Sequence, residues 1–335
     1  MLIKGSLMKA LLLSIFLISL LFAEDYQLGQ GLKINDNLNI GAYFSTDYTK
    51  GDEIDRYRLD DVAILAYGNL TPRFSYLIEF EAAPFYTKDF ENGTSNWDRQ
   101  FHYERAYIDY GYSEMFSFRG GKQITPIGYW NLEPINVLRD TSSNPLYSYK
   151  MFPKFVTGID TYGYINEEMS LQYHLFLQVT EDLDSDYINI NSDLFTGVSL
   201  EYEATEELSI GGSLGYYETT EIQKDISFIQ ANVKYTQYPF LVQTEWAYTD
   251  IDNKTFDTNA FQVGGYIQNL YHINIQHAII GRYEYFKDTQ VNLENHIGVF
   301  GYSYRPKYAI SIKAEYQVNS DSKFSKSIIS FSVLF

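Results

Sequence analysis

The chain has 335 residues, 45% of them hydrophobic and 17% aromatic, with 32 Tyr, 23 Phe and no Cys. Its formal charge is −18, from 43 acidic against 25 basic side chains. The missing cysteines exclude disulfides and thiolate metal sites, and the acidic balance excludes a nucleic-acid partner, which needs a basic face.

Residues 1–23 read as a secretory signal peptide. Lys4 and Lys9 make a basic head, the stretch from Ala10 to Phe22 is apolar apart from Ser14 and Ser19, and Ala23 precedes Glu24 and Asp25. That stretch is shorter than the roughly 20 residues of a membrane-spanning helix, so an uncleaved anchor is the weaker alternative. Met8 followed by Lys9 makes an equally good start. Residues 24–37 read as a short periplasmic segment and 38–335 as one domain.

From Leu38 onward the chain alternates. In Tyr76–Ala82 the apolar residues fall at every second position, and Glu79 and Glu81 share the other face. Leu171–Val179 repeats the pattern. Period two predicts strands with one apolar and one polar face and excludes a helical bundle. Sixteen such segments are expected, at 38–46, 57–70, 74–83, 100–112, 116–124, 155–165, 170–179, 194–204, 208–218, 226–237, 240–249, 258–268, 276–286, 293–305, 309–318 and 325–335. Connections after even-numbered strands are tight, such as Thr71-Pro72-Arg73 and Tyr238-Pro239. Those after odd-numbered strands are mostly longer, such as 84–99 and 180–193. An even strand number with short periplasmic turns and longer extracellular loops fits an outer-membrane barrel. A soluble sandwich or propeller has no reason to sort its loops by parity. The weakest boundary lies near Asn269.

In lipid a spanning sheet must close on itself so that every backbone polar group is paired. A charge facing the bilayer midplane costs roughly 2–4 kcal/mol, so charged residues in mid-strand must face the lumen. This points Tyr76, Ile78, Phe80 and Ala82 outward. It points Glu79, Glu81, Arg105, Tyr107, Asp109, Arg119, Glu201, Glu203, Lys234, Glu245, Arg282, Glu284, Lys313 and Glu315 inward. Sixteen strands leave an aqueous channel where eight would be filled by side chains. The final run Ile329–Phe335 alternates and ends in Phe, a pattern that suits delivery to the barrel-insertion machinery.

Between the fifth and sixth segments lies the longest connection, 125–154. It holds Pro126, Trp130, Glu133, Pro134, Arg139, Asp140, Pro145, Lys150, Pro153 and Lys154. An insertion this long is usually functional, and in sixteen-stranded barrels the third loop bends inward and narrows the channel. Arg105-Ala106-Tyr107-Ile108-Asp109, followed by Gly120-Gly121-Lys122-Gln123-Ile124-Thr125-Pro126-Ile127-Gly128, resembles the region around the third loop in the phosphate-selective porin O and P group, over roughly residues 57–165. The resemblance implies sixteen strands, a homotrimer and an anion path lined by arginines and lysines. The chain shows no ladder of regularly spaced arginines on its inward face. Arg105, Arg119, Lys122, Arg139, Lys150 and Lys154 are the candidates for a basic patch at the constriction, with Glu79, Glu81, Asp109, Glu133 and Asp140 as its acidic lining.

There is no Gly-rich phosphate loop and no His-Glu-x-x-His. No cofactor is expected and no enzyme. The expected protein is an outer-membrane porin passing small hydrophilic solutes and ions. Inward carboxylates outnumber inward basic groups, so a weak cation preference is expected. The alternatives are an anion- or phosphate-selective porin and a non-transporting binding or adhesion barrel.

Overall fold

A computed structural model of the chain describes residues 27–165, 170–185, 187–219 and 223–335. The signal peptide read at residues 1–23 lies outside them. Sixteen antiparallel strands close into a barrel: β1 Leu38–Gly51, β2 Ile54–Thr71, β3 Phe74–Ala82, β4 His102–Ser113, β5 Phe116–Ile124, β6 Phe155–Tyr164, β7 Leu171–Gln178, β8 Ser192–Glu203, β9 Leu208–Thr219, β10 Lys224–Gln237, β11 Phe240–Asn253, β12 Thr258–Asn274, β13 His277–Asp288, β14 Leu293–Lys307, β15 Ile310–Asn319 and β16 Lys326–Leu334. Each pairs with the next in sequence, and β16 pairs back onto β1, with Phe331 opposite Thr46 and Leu334 opposite Tyr43. No strand edge is left open around the ring, which is what the bilayer requires of a spanning sheet.

The alternation in the sequence becomes the two surfaces of the wall. Ile64, Ile108, Ile159, Ile229, Phe300 and Ile329 point outward and are exposed. Glu79, Glu245, Arg282 and Lys313 point inward and are buried. At the seam Phe44 stacks on Phe335 with ring centroids 6.0 Å apart and meets Phe331 at 5.9 Å.

Several boundaries move from the sequence reading. β1 runs to Gly51 and turns at Asp52–Glu53, so the first odd-numbered connection is tight rather than long. The ends of strands that stand clear of lipid carry polar residues on both faces, and the apolar marker fades there before the hydrogen-bonded ladder does. β12 continues straight through Asn269 to Asn274 and turns at Ile275–Gln276. At the end of β3, Ala82 is buried. In the connection 83–101, Tyr86–Asp89 pairs with β2 and with Ser95–Trp97. Before β1, Leu32–Asn35 adds a short strand to it.

Candidate functional site

Loop 125–154 lies inside the barrel, and its seat can be built from the neck inward. Thr125 N donates to Lys154 O at 2.9 Å and Thr125 Oγ1 to Pro153 O at 2.8 Å, closing the base. Gly128 then adopts φ +65 and starts a short helix, α1 (Gly128–Leu132). A Cβ at Gly128 would fall 1.9 Å from Glu245 Oε2, so no other residue fits this approach. Glu245 of β11 accepts from Tyr129 N at 3.0 Å, Trp130 N at 2.8 Å and Gln243 Nε2 at 3.1 Å, and also from the hydroxyls of Tyr147 and Tyr266. Around this carboxylate Ile127, Trp130, Tyr147, Met151 and Phe152 pack with Tyr217, Phe228, Tyr266 and Phe286 of β9, β10, β12 and β13. Fully burying an apolar side chain contributes about 1.5–3 kcal/mol, so this cluster holds the loop base firmly.

The middle of the loop reaches the other wall. Ile135 and Val137 pack on Tyr43, Ala63 and Leu65 of β1 and β2. Lys313 Nζ of β15 donates to Asn136 O at 2.5 Å and to its Oδ1 at 2.8 Å. Arg305 of β14 holds the carbonyls of Val137, Leu138 and Arg139. On the return, Glu315 accepts from Ser143 Oγ at 2.6 Å, and Arg282 donates to Ser143 O at 3.0 Å. The loop therefore spans the lumen and is tied at both walls. It returns through a second short helix, α2 (Tyr147–Lys150).

On the extracellular side of this bridge lies a cavity of about 450 Å³. Its charged lining comprises Asp47, Arg56, Arg58, Asp60 and Asp61 from β1 and β2, Glu81 and Glu104 from β3 and β4, Arg139 and Lys154 from the loop, Glu284 from β13 and Lys326 from β16. Arg58 pairs with Asp47 at 2.9 Å and Asp60 at 3.1 Å, and Lys154 pairs with Glu104 at 3.0 Å. Arg56 and Lys326 have no ion-pair partner among the described residues.

The sequence candidates separate. Arg139, Lys154 and Glu81 line the cavity. Glu81 accepts from Tyr43 and from Tyr187. Arg139 is buried and donates to Glu133 O at 2.5 Å and Asn144 Oδ1 at 2.6 Å; burial lowers its pKa below the usual guanidinium value. Glu133 is half-exposed, 4.0 Å from Lys234, and its partial desolvation raises its carboxyl above the usual range. Asp140 lies 3.8 Å from Arg305. Lys150 is exposed, 5.6 Å from the Tyr149 ring. Arg105 is bound to Glu79 in the wall. Arg119 and Asp109 make a bidentate pair at 2.8 and 3.0 Å, near the turn that joins β4 to β5 and away from the loop. Lys122 is fully buried against Asp182 at 2.9 Å. Arg119 thus stands apart from Arg139 and Lys154, whereas Lys122 and Lys154 both lie against the Phe155 ring, at 5.1 and 4.6 Å.

Seven charged lining residues escaped the sequence reading, Asp47, Arg58 and Asp61 among them. Arg56 and Asp60 sit where β2 extends beyond, or alternates poorly within, the apolar pattern. Lys326 opens the last strand. Glu104 turns inward beside Arg105 through an irregularity that puts Glu79 opposite Arg105 but Phe80 opposite Tyr103. A bulge of this kind depends on the partner strand's register and leaves no mark in one strand's own pattern.

No family model and no curated protein matches the chain. Solved structures do. OmpF of Salmonella typhi, in complex with daunomycin, aligns at 12% identity over 91% of this chain and 99% of its own, with a TM-score of 0.65. An anion-selective porin from Comamonas acidovorans aligns at 9% over 89% and 99%, at 0.63. The outer membrane channel DcaP of Acinetobacter baumannii aligns at 11% over 92% and 100%, at 0.62. At such identities the likeness is one of fold. The fold so shared is the closed antiparallel barrel of these bacterial outer-membrane proteins.

Proposed function

We propose that this protein is a passive diffusion channel for small hydrophilic solutes and ions, with a weak preference for cations. The observation that carries the reading is the charge-lined cavity inside the closed barrel, set against a loop that narrows the lumen. Its lining holds the carboxylates of Asp47, Asp60, Asp61, Glu81, Glu104 and Glu284 against the cations of Arg56, Arg58, Arg139, Lys154 and Lys326. Fixed charges focused in a narrow passage bias the ions that enter it. The near balance makes the bias small, and screening over about 8 Å at physiological salt makes it smaller still.

One observation favours a second reading, anion selectivity as the resemblance to phosphate-selective porins implies. Arg56 and Lys326 are free of ion pairs, while Asp47, Asp60 and Glu104 are engaged. Reversal potential across a planar bilayer under a salt gradient separates the two. Cation preference that grows as salt falls supports the first; clear anion preference, lost in Arg56→Ala with Lys326→Ala, establishes the second. A barrel that inserts but passes no current excludes both.

A homotrimer is proposed with the channel. Among the matched structures OmpT of Vibrio cholerae is described in a trimer form. On this chain a shallow apolar depression on the outer wall, lined by Leu70, Ile78, Ala106, Ile108 and Gly120, offers a surface for a neighbouring copy. Mass determination in detergent checks the state.

A further inference from the structure

The connection between β7 and β8 folds inward as well, a feature nothing in its sequence announced. Its residues grip the inner wall across β6, β5, β4 and β3. Asp182 accepts from Thr157 Oγ1 of β6 at 2.7 Å and from the fully buried Lys122 Nζ of β5 at 2.9 Å. Asn189 and Phe155 of β6 exchange hydrogen bonds, both at 3.2 Å. Asp184 meets His102 Nδ1 of β4 at 3.0 Å and accepts from Tyr103 N at 2.9 Å. Burial acts to raise the Asp184 carboxyl, but these donors prevail and hold it below the usual range. Tyr187 is buried, stacks on His102 at 5.0 Å and donates to Glu81 of β3. From β6 to β3 is three inter-strand spacings, roughly 14 Å of wall.

A loop that only needed to leave the barrel would gain nothing by burying a lysine–aspartate pair, because their attraction must first offset the cost of taking both charges out of water. The clamp has a consequence at its tip. Tyr187 and Ile188 line the same cavity as the third loop, and Ile188 is 57% exposed there. We infer that this second loop is a size-determining element at the extracellular entrance, with Tyr187 and Ile188 forming its edge and Lys122–Asp182 its clamp. It acts before the third loop, on whatever solute the channel admits. The inference rests on the channel reading above.

The chain has no cysteine, so a single introduced thiol reports without background. Ile188→Cys, inserted in a planar bilayer, is treated with a charged methanethiosulfonate reagent from the loop side. Labelling is expected to lower single-channel conductance about twofold, because a bulky charged adduct then sits in the entrance. A paired Tyr187→Ala, Ile188→Ala variant is expected to raise entry of large sugars relative to small ones in liposome swelling, while its heat-resistant folded band is retained. If labelling leaves conductance unchanged and the large-to-small ratio stays at the wild-type value in folded protein, the loop does not border the path and the inference is overturned. A wild-type barrel that passes no current would instead defeat the channel reading itself.

Discussion

Glu245 is a carboxylate without a cation, kept in the wall by donors from three directions. That makes it an anchor for the third loop rather than a charge offered to passing ions. Glu245→Ala would leave the N–H groups of Tyr129 and Trp130 and the hydroxyl of Tyr147 unsatisfied; each buried orphan costs about 1–3 kcal/mol. The expected result is a lower melting temperature of the folded barrel and a noisier single-channel record. Glu245→Gln, which keeps the acceptor oxygen, should fall between. Glu133 is the contrasting case, half-exposed and loosely paired with Lys234. Its raised pKa means it takes up a proton at higher pH than an ordinary glutamate. Cation preference should therefore begin to decline above the usual carboxylate range as pH falls. Glu133→Gln should remove that early part of the decline in a reversal-potential titration, and an unchanged titration would place Glu133 off the path.

Among the elements, the third loop is expected to set the conductance. On the channel reading proposed above, shortening 125–154 so that Thr125 rejoins Phe155 should raise single-channel conductance several-fold. An unchanged value would mean the loop does not limit flow. The last strand carries a different expectation. Phe335 closes the outer aromatic contact with Phe44, so its deletion should lower the cellular yield of heat-resistant barrel. These two elements also show what one sequence reveals. The outward row Tyr76, Ile78 and Phe80 was legible because lipid demands an apolar residue at every second position. The inward fold of 125–154 was legible as an expectation from its length and position. The fold of the β7–β8 loop was not, because its clamp joins Lys122 to Asp182, 60 residues apart in the chain. Nor was the pairing of Arg105 with Glu79, Arg119 with Asp109 and Lys122 with Asp182: period two fixes which face a side chain takes, but not its height along the barrel or the carboxylate that claims it.

For the molecule as a whole, the closed ring predicts a circular dichroism spectrum dominated by sheet in detergent, with almost no helix; a helical spectrum or a stable detergent-free monomer would contradict the architecture. The charges within the barrel are divided between those locked in pairs, such as Arg119 with Asp109, and those left to face the cavity, such as Arg56. The third loop enters this picture in a mechanical sense. It is joined to the wall at Glu245 on one side and at Lys313, Arg305 and the Tyr43 cluster on the other. A hoop with a strut across it resists flattening, so lateral pressure from the bilayer that would squeeze an empty ring toward an ellipse is carried here by the loop's hydrogen bonds and its buried aromatics. The same residues that narrow the passage keep its cross-section steady, and a channel with the strut cut would widen and, at the same stroke, lose its roundness.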